Sequence, residues 1–350
     1  MLRRLLIVLV IAVVVVGGWF LWLGNAAGEF KTLTPHFAGT CTQVPGVVGG
    51  EDLTIHPRTG VAYISACDRR AVFAGQPGHG ALYAYDLNAA APQPVNLTPR
   101  ADADFCPHGL SLLVAPDGTS TLFVINHAGG KHAIEVYDIG DRGFLHRTTL
   151  SDPLLVSPND LVVVTPTQVY VTNDHHYREG LMHTVEDYLR RPWANVVLWD
   201  GARFREVAGG IRLANGINAS RDGKTVYVMS TIGLSMLTYD RDPASGALTF
   251  RREVPLGTGA DNVEVASDGT LWIGAHPKLL TVVRYMNGGI PRAPSQVLHL
   301  VPAADGTYDV QEVFLDLGDQ LSASSVAAAR DKRLLIGPVA DSKFLDCQMQ

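Results

Sequence analysis

No block of lysine or arginine occurs in these 350 residues, and the formal net charge of −6 is mild and dispersed, which argues against nucleic acid as a partner. Charged residues make up 18% of the chain and aromatics 8%, whereas 47% hydrophobic residues supply ample material for a core. The chain contains no Gly-x-Ser-x-Gly elbow, no His-Glu-x-x-His pair and no phosphate-binding loop. Serine-hydrolase, zincin and P-loop chemistry therefore have no support in it. Long helices are disfavoured by 35 Gly and 20 Pro, which instead favour many short turns.

One long apolar run is present, Leu5 to Leu23, preceded by Arg3 and Arg4. Its 19 residues lie at the lower end of what crosses a bilayer. The Asn25-Ala26-Ala27 sequence that follows is a poor cleavage site, so residues 1–27 are expected to be an uncleaved signal anchor, although a cleaved secreted form is the alternative. The flanking arginines place residues 28–350 on the extracytoplasmic side. Disulfides are permitted there. Four cysteines occur, Cys41, Cys67, Cys106 and Cys347. A bridge between Cys41 and Cys347 would close nearly the whole domain into one ring. Cys67 and Cys106 then remain, either as a second pair or as buried free thiols.

From Cys41 onward a single unit recurs: an apolar strand, a turn rich in Asp, Gly or Pro, and a second strand with β-branched and aromatic residues. Leu53–His56 turns into Val61–Ser65, Leu110–Val114 into Leu122–Ile125, and Leu161–Val164 into Val169–Val171. Ile217–Ala219 leads to Val226–Val228, Val263–Val265 to Leu271–Ile273, and Val326–Ala328 to Leu334–Ile336. Six such units, roughly 55 residues apart, predict a six-bladed β-propeller, an all-β fold of four-stranded blades around a central channel. The segment 179–193 breaks the pattern with helical spacing, Leu181, Val185, Tyr188 and Leu189 sharing one face. It is expected to be a helix inserted in a loop, serving as a lid, a membrane contact or a packing element.

The polar residues ahead of the inner strands form a set. Glu51-Asp52 precedes the first, Pro107-His108-Gly109 the second, Asn159-Asp160 the third, Asn215 the fourth and Asp261-Asn262 the fifth. In a propeller these positions converge at one mouth of the channel. Turn chemistry explains any one of them. It explains five matched positions less well, whereas carboxylate and amide oxygens are the donors that Ca²⁺ takes. Adjacent residues in an extended strand point opposite ways, so Asn159 and Asp160 can feed two sites, one above the other. His108 and His127, at the two ends of one hairpin, are candidates for a proton-transfer pair, the alternative being structural histidines. His276 is a third and weaker candidate on the same rim.

The segments Glu51-Asp52-Leu53, Pro107-His108-Gly109, Val124–His127, Pro158-Asn159-Asp160, Thr172-Asn173-Asp174-His175, Ala214–Asn218, Asp261-Asn262 and Leu271–Gly274 resemble the serum paraoxonase/arylesterase family in order and spacing. That resemblance implies two Ca²⁺ in the channel and hydrolysis of lactones, with aryl esters as further substrates. By position it implies a catalytic Ca²⁺ held by Glu51, Asn159, Asn215, Asp261 and Asn262. It implies a structural Ca²⁺ held by Asp52, Asp160 and the Leu110 carbonyl. It further implies a His108–His127 dyad with Glu51 as the competing base, a Cys41–Cys347 disulfide, and a retained hydrophobic N-terminus that anchors to membrane. The loop 66–80, Cys106 and Leu213 depart from the family pattern at positions that face substrate. The expectation is a Ca²⁺-dependent lactonase/arylesterase acting on a small-molecule lactone or ester. The alternatives are a gluconolactonase-like or strictosidine-synthase-like propeller, or a non-catalytic ligand-binding one.

Overall fold

The computed structural model describes residues 1–140 and 143–350. Its strands form six antiparallel sheets arranged as the blades of a propeller. The first blade runs Gly50–Ile55, Val61–Ala66, Ala81–Asp86 and Val95–Asn96 from channel to rim. The second comprises Pro107–Val114, Ser120–Asn126, Ala133–Gly140 and Gly143–Leu150, and the third Pro158–Thr165, Gln168–Asn173, Ala194–Trp199 and Phe204–Ile211. In the fourth are Ala214–Ala219, Thr225–Ser230, Ser235–Arg241 and Leu248–Pro255. The fifth, Gly259–Val265, Leu271–His276, Ser295–Pro302 and Tyr308–Asp316, gains His36–Phe37 at its edge. The sixth takes Ser324–Arg330, Arg333–Pro338 and Lys343–Met349 from the C-terminus and its outermost strand, Gly39–Pro45, from the N-terminus. All six hairpins anticipated from the sequence are present.

The local cause of each inner hairpin is turn chemistry. Asp117, Asp222 and Asp268 each accept the amide two residues on, at 2.9, 3.1 and 3.0 Å, and the Gly that follows each takes a positive φ. Between blades, the faces of neighbouring sheets interlock. Leu53 and Ile64 of the first blade pack on Val326, Leu335 and Phe344 of the sixth, all fully or nearly fully buried. Each such side chain contributes roughly 1.5–3 kcal/mol by leaving water. The ring is closed by seven register pairs between strands 39–45 and 343–349, with Cys41 opposite Cys347 and bonded to it.

Every inner strand carries a register irregularity near its entry: between Gly50 and Asp52, Pro107 and Leu110, Pro158 and Leu161, Ala214 and Ile217, Ala260 and Val263, and Ser324 and Val326. A bulge bends a strand and re-aims the side chains beside it. Here the bulged residues include every side-chain oxygen donor expected from the sequence. Close approach of the inner strands needs glycine at two of these points. A Cβ on Gly109 would lie 2.4 Å from Asp160 Cα, and one on Gly216 would lie 2.4 Å from the Asp261 carbonyl oxygen.

Among the described residues, four α-helices accompany the strands: α1 (Leu2–Ala26), α2 (Arg69–Phe73), α3 (Leu181–Tyr188) and α4 (Leu279–Met286). The last three connect the second strand of a blade to its third, in blades one, three and five. A second strand ends where the antiparallel inner strand begins, so these helices stand over the mouth that carries the donors. α1 is solvent-exposed over most of its length, and its span Arg3–Ala26 contains an 18-residue stretch with a mean hydropathy of 2.9. At 24 residues it is about 36 Å long, enough to cross a bilayer core. Its final turn docks beside α4, where the Ala27 carbonyl accepts the Leu279 amide at 2.9 Å and Glu29 accepts the Thr281 hydroxyl at 2.7 Å. The anchor-length helix thus leaves the propeller at the rim of the same mouth.

Candidate active site

Asn159, Asn215 and Asn262 come from the third, fourth and fifth inner strands and are buried, as are Glu51 and Asp261. Among the described residues, the Oδ1 atom of each of these three asparagines has no hydrogen-bond partner. Leaving one buried acceptor unpaired costs about 1–3 kcal/mol, so three in one place call for a ligand that is not a hydrogen-bond donor of the fold. Other contacts fix two of the amides. Asn262 Nδ2 donates to Glu51 Oε1 at 2.8 Å, and Asn159 Nδ2 to Asp174 Oδ2 at 3.2 Å. Asp261 is held by His276, whose Nε2 lies 2.8 Å from Asp261 Oδ2. Three amide oxygens and two carboxylates make a hard-oxygen set of the kind that suits Ca²⁺ and fits Zn²⁺ poorly.

Asp52 and Asp160 lie on the other side of the same strands, both buried. Asp52 accepts the Leu110 amide at 2.7 Å, and Asp160 accepts the Ile217 amide at 2.8 Å, so each carboxylate stitches its strand to that of the next blade. Leu110 thus meets Asp52 through its amide, whereas the family resemblance implied its carbonyl as a ligand. Burial pushes the Asp52 carboxyl far above its ordinary range, and the Asp160 charge adds to it. Asp160 is raised by burial as well, with Glu51 and Glu264 adding to the shift. Glu264, which the sequence reading did not single out, sits deeper in the channel with its carboxyl raised to about 8 by burial. A divalent cation beside Asp52 and Asp160 is what would relieve this crowding of acids.

The two expected histidines meet. His108 Nδ1 and His127 Nε2 share a hydrogen bond of 2.9 Å, and His108 Nε2 lies 3.4 Å from Glu51 Oε2. A third ring extends the line, His127 Nδ1 lying 2.7 Å from Nδ1 of His132. Burial, followed by the neighbouring His108 and His132, holds His127 well below the usual imidazole range, and burial takes His132 down to about 4. Both shifts favour the neutral ring, so the two histidines can relay a hydrogen bond behind His108 but resist holding a full positive charge. His132 gave no sequence signal, because it belongs to no strand and follows a Gly-Gly turn. Glu51 itself is held down at about 2: burial opposes its charge, but the facing His108 and Arg69 prevail.

Arg69 was also missed by the sequence reading. It is buried in α2, donating to the Gly49 carbonyl at 3.2 Å and to Glu51 Oε2 at 3.4 Å. Cys67 and Cys106 are bridged, which ties the divergent loop 66–80 that carries Arg69 to the strand that delivers His108. The bridge decides between the pair and the free thiols that the sequence left open.

The inserted helix forms, but its packing differs from the expected apolar face. Leu181 is 77% exposed and Tyr188 and Leu189 are exposed as well, whereas Glu186 is 1% exposed. The reason is electrostatic: the Glu186 carboxylate accepts the otherwise unpaired amides of His176 and Tyr177, at 3.0 and 3.2 Å, and so pins the preceding loop. Behind α3 lies a cavity of about 540 Å³ whose apolar lining includes Leu23, Phe73, Leu213, Ile232, Leu279 and Met286. Leu213, left-handed at φ +53°, stands two residues before Asn215 and joins this cavity to the donor ring.

The sequence pattern of the arylesterase family matches residues 36–349, which take in the whole propeller. The chain belongs to the arylesterase family. Among curated relatives, serum paraoxonase/arylesterase 2 of Gallus gallus is 32% identical over 326 residues, covering 90% of each chain. Serum paraoxonase/arylesterase 1 of Homo sapiens is 32% identical over 319 residues and 88% of each. Two solved structures share the fold. A luciferin-regenerating enzyme matches at a TM-score of 0.56 and 10% identity, covering 89% of this chain and 95% of its own. The calcium-binding protein regucalcin of Agrobacterium tumefaciens matches at 0.52 and 14%, covering 90% and 96%. This arylesterase-family propeller is therefore of the hydrolase class, with its polar donors collected at one mouth of the channel.

Proposed function

We propose that this chain is a Ca²⁺-dependent hydrolase of lactones and aryl esters. The observation that carries this reading is the set of three unpaired, buried asparagine oxygens facing the channel beside Glu51 and Asp261. Glu51, Asn159, Asn215, Asp261 and Asn262 would hold one ion, and Asp52, Asp160 and Leu110 a second, structural one. When bound, the upper ion supplies positive charge for the carbonyl oxygen of the substrate. The remaining steps belong to the side chains. His108, aligned between Glu51 and His127, takes the proton of a water that attacks the acyl carbon. His127 and His132 accept the hydrogen-bond shift behind it. As the ester C–O bond breaks, His108 returns the proton to the departing oxygen. Arg69 keeps Glu51 ionised and in place. The apolar cavity behind α3 favours lactones that carry an acyl tail, since pockets of this lining bind by burying hydrocarbon.

Turnover of a panel comprising an aliphatic δ-lactone, a long-chain acyl-homoserine lactone and phenyl acetate, with Ca²⁺ and with chelator, tests the reading. We expect turnover with Ca²⁺ alone and preference for the long-chain lactone. A folded, Ca²⁺-loaded protein that hydrolyses none of the three would be a binding propeller instead. His108→Gln is expected to lower kcat by roughly a hundredfold or more, within the range for losing a positioned base. Activity surviving that change would move the base role to Glu51.

We infer in addition that α1 anchors the propeller to a membrane with its catalytic domain outside the cytosol. The two disulfides and the exposed apolar helix support this. Removing residues 1–21, which spares the docked Leu23 and Ala27, should shift the protein from the membrane fraction to the soluble one with phenyl acetate turnover retained. Continued sedimentation with membranes would refute the anchor.

A further inference from the structure

Beside the oxygen-lined channel, the structure gathers a second group of ligating side chains with a different chemistry. His183 and Asp187 stand one turn apart on α3, and His175 reaches them from the loop that follows the second strand of the third blade. One ligand atom from each lies within 4.8 Å of the other two. His175 Nε2 is 2.8 Å from Asp187 Oδ1, and His183 Nδ1 is 3.7 Å from Asp187 Oδ2. The two imidazole rings stack with centroids 4.1 Å apart, which sets both along the same carboxylate. We propose that His175, His183 and Asp187 form a binding site for a divalent transition-metal ion of the zinc class, separate from the calcium centre.

Three observations carry this. The donor set is two imidazoles and one carboxylate, the nitrogen-rich composition that zinc takes and calcium does not. The remaining nitrogen of His175, Nδ1, lies 2.8 Å from Asp174 Oδ1. A carboxylate behind a ligating histidine fixes the ring and raises its basicity, the arrangement that metal-binding histidines share. The distances also fit: ligand atoms on a tetrahedral zinc stand roughly 3.3 Å apart, so the group closes by rotation of two side chains. His183 and Asp187, each about a third exposed at the side chain, are free to make that rotation. Three protein ligands leave a fourth position open to water or to a ligand in the cavity behind α3, which His175 and Asp187 line. The site would also tie α3 to the donor ring, because Asp174 accepts from Asn159 Nδ2.

The test uses the full chain in detergent, saturated with Ca²⁺ so that the oxygen centre is filled, and titrated with Co²⁺ as a spectroscopic stand-in for zinc. We expect about one equivalent to bind with the visible bands of a four-coordinate ion, and Zn²⁺ to displace it. His183→Ala, which removes a partly exposed side chain and leaves the core untouched, should weaken binding at least a hundredfold. Asp174→Asn should weaken it roughly tenfold or more. Absence of the bands in folded, Ca²⁺-loaded protein would overturn the site. So would titrations unchanged by His183→Ala. Binding lost in His132→Ala but not in His183→Ala would place the ion on the other histidine group and equally refute the proposal.

Discussion

Asp261→Ala is expected to lower kcat/KM for lactones by at least roughly a thousandfold, with the propeller still folded. Asp261 is one of two carboxylates among the five donors proposed for the upper site, and its side chain also meets His276 at 2.8 Å. Removing it leaves one formal negative charge against a divalent ion, so affinity falls steeply. What is then lost is the charge that stabilises the developing oxyanion, an effect that alone is often worth about 10²–10³ in rate. Asn159→Ala removes a neutral donor and should cost less, in part because excess Ca²⁺ can refill a weakened but still dianionic site. The pair is therefore diagnostic: high Ca²⁺ should rescue Asn159→Ala substantially and Asp261→Ala little. Chelation of the unaltered protein should also lower its melting temperature, since an ion held at a thousand times its Kd contributes about 4 kcal/mol. Activity indifferent to both substitutions and to chelator would sink the metal-hydrolase reading. A fall in melting temperature on chelation without any measurable turnover would leave Ca²⁺ as a structural element only.

Much of this architecture was legible because it depends on local rules. The alternation of Val169-Tyr170-Val171 and the Asp-Gly turns at 117–118, 222–223 and 268–269 specify hairpins before any tertiary contact exists. The donors were legible because asparagine and aspartate recur at strand entries where turn chemistry alone would accept other residues. What could not be read depends on contacts between elements distant in sequence. The bulges that aim the donors inward are set by strand pairing. Arg69 reaches Glu51 from a loop that the Cys67–Cys106 bridge ties to the second blade. His132 joins His127 from outside any strand. In α3, helical periodicity marked Leu181 and Tyr188 as the packing face, but the amides of His176 and Tyr177 drew Glu186 inward instead. Hydrophobic periodicity ranks faces by transfer free energy and is blind to a backbone that needs an acceptor.

The two disulfides, similar in chemistry, should separate stability from activity. Cys41–Cys347 links residues 306 apart, and its strands already form seven register pairs in the native sheet. Its effect falls mainly on the unfolded chain, where the loop-entropy relation gives about 6 kcal/mol, a figure that residual structure in the unfolded state reduces. The double variant Cys41→Ala/Cys347→Ala should therefore show a much lower denaturation midpoint and nearly unaltered kcat/KM under native conditions. Cys67–Cys106 closes a separation of only 39 residues, for which the same relation gives about 4 kcal/mol. Its native role is the more specific one. It holds α2 against the strand entry of the second blade, so that Arg69 meets both Glu51 and the Pro107 carbonyl. Breaking it with Cys67→Ala/Cys106→Ala releases the loop 66–80, and a 1 Å misplacement of a positioning group can cost on the order of a hundredfold in rate. Activity should thus fall far more in this variant than in the first. Equal activity in the two variants would mean that the loop is held by its own contacts, among them the Arg70 guanidinium stacked 3.8 Å over the Tyr285 ring, and that the bridge only adds to stability.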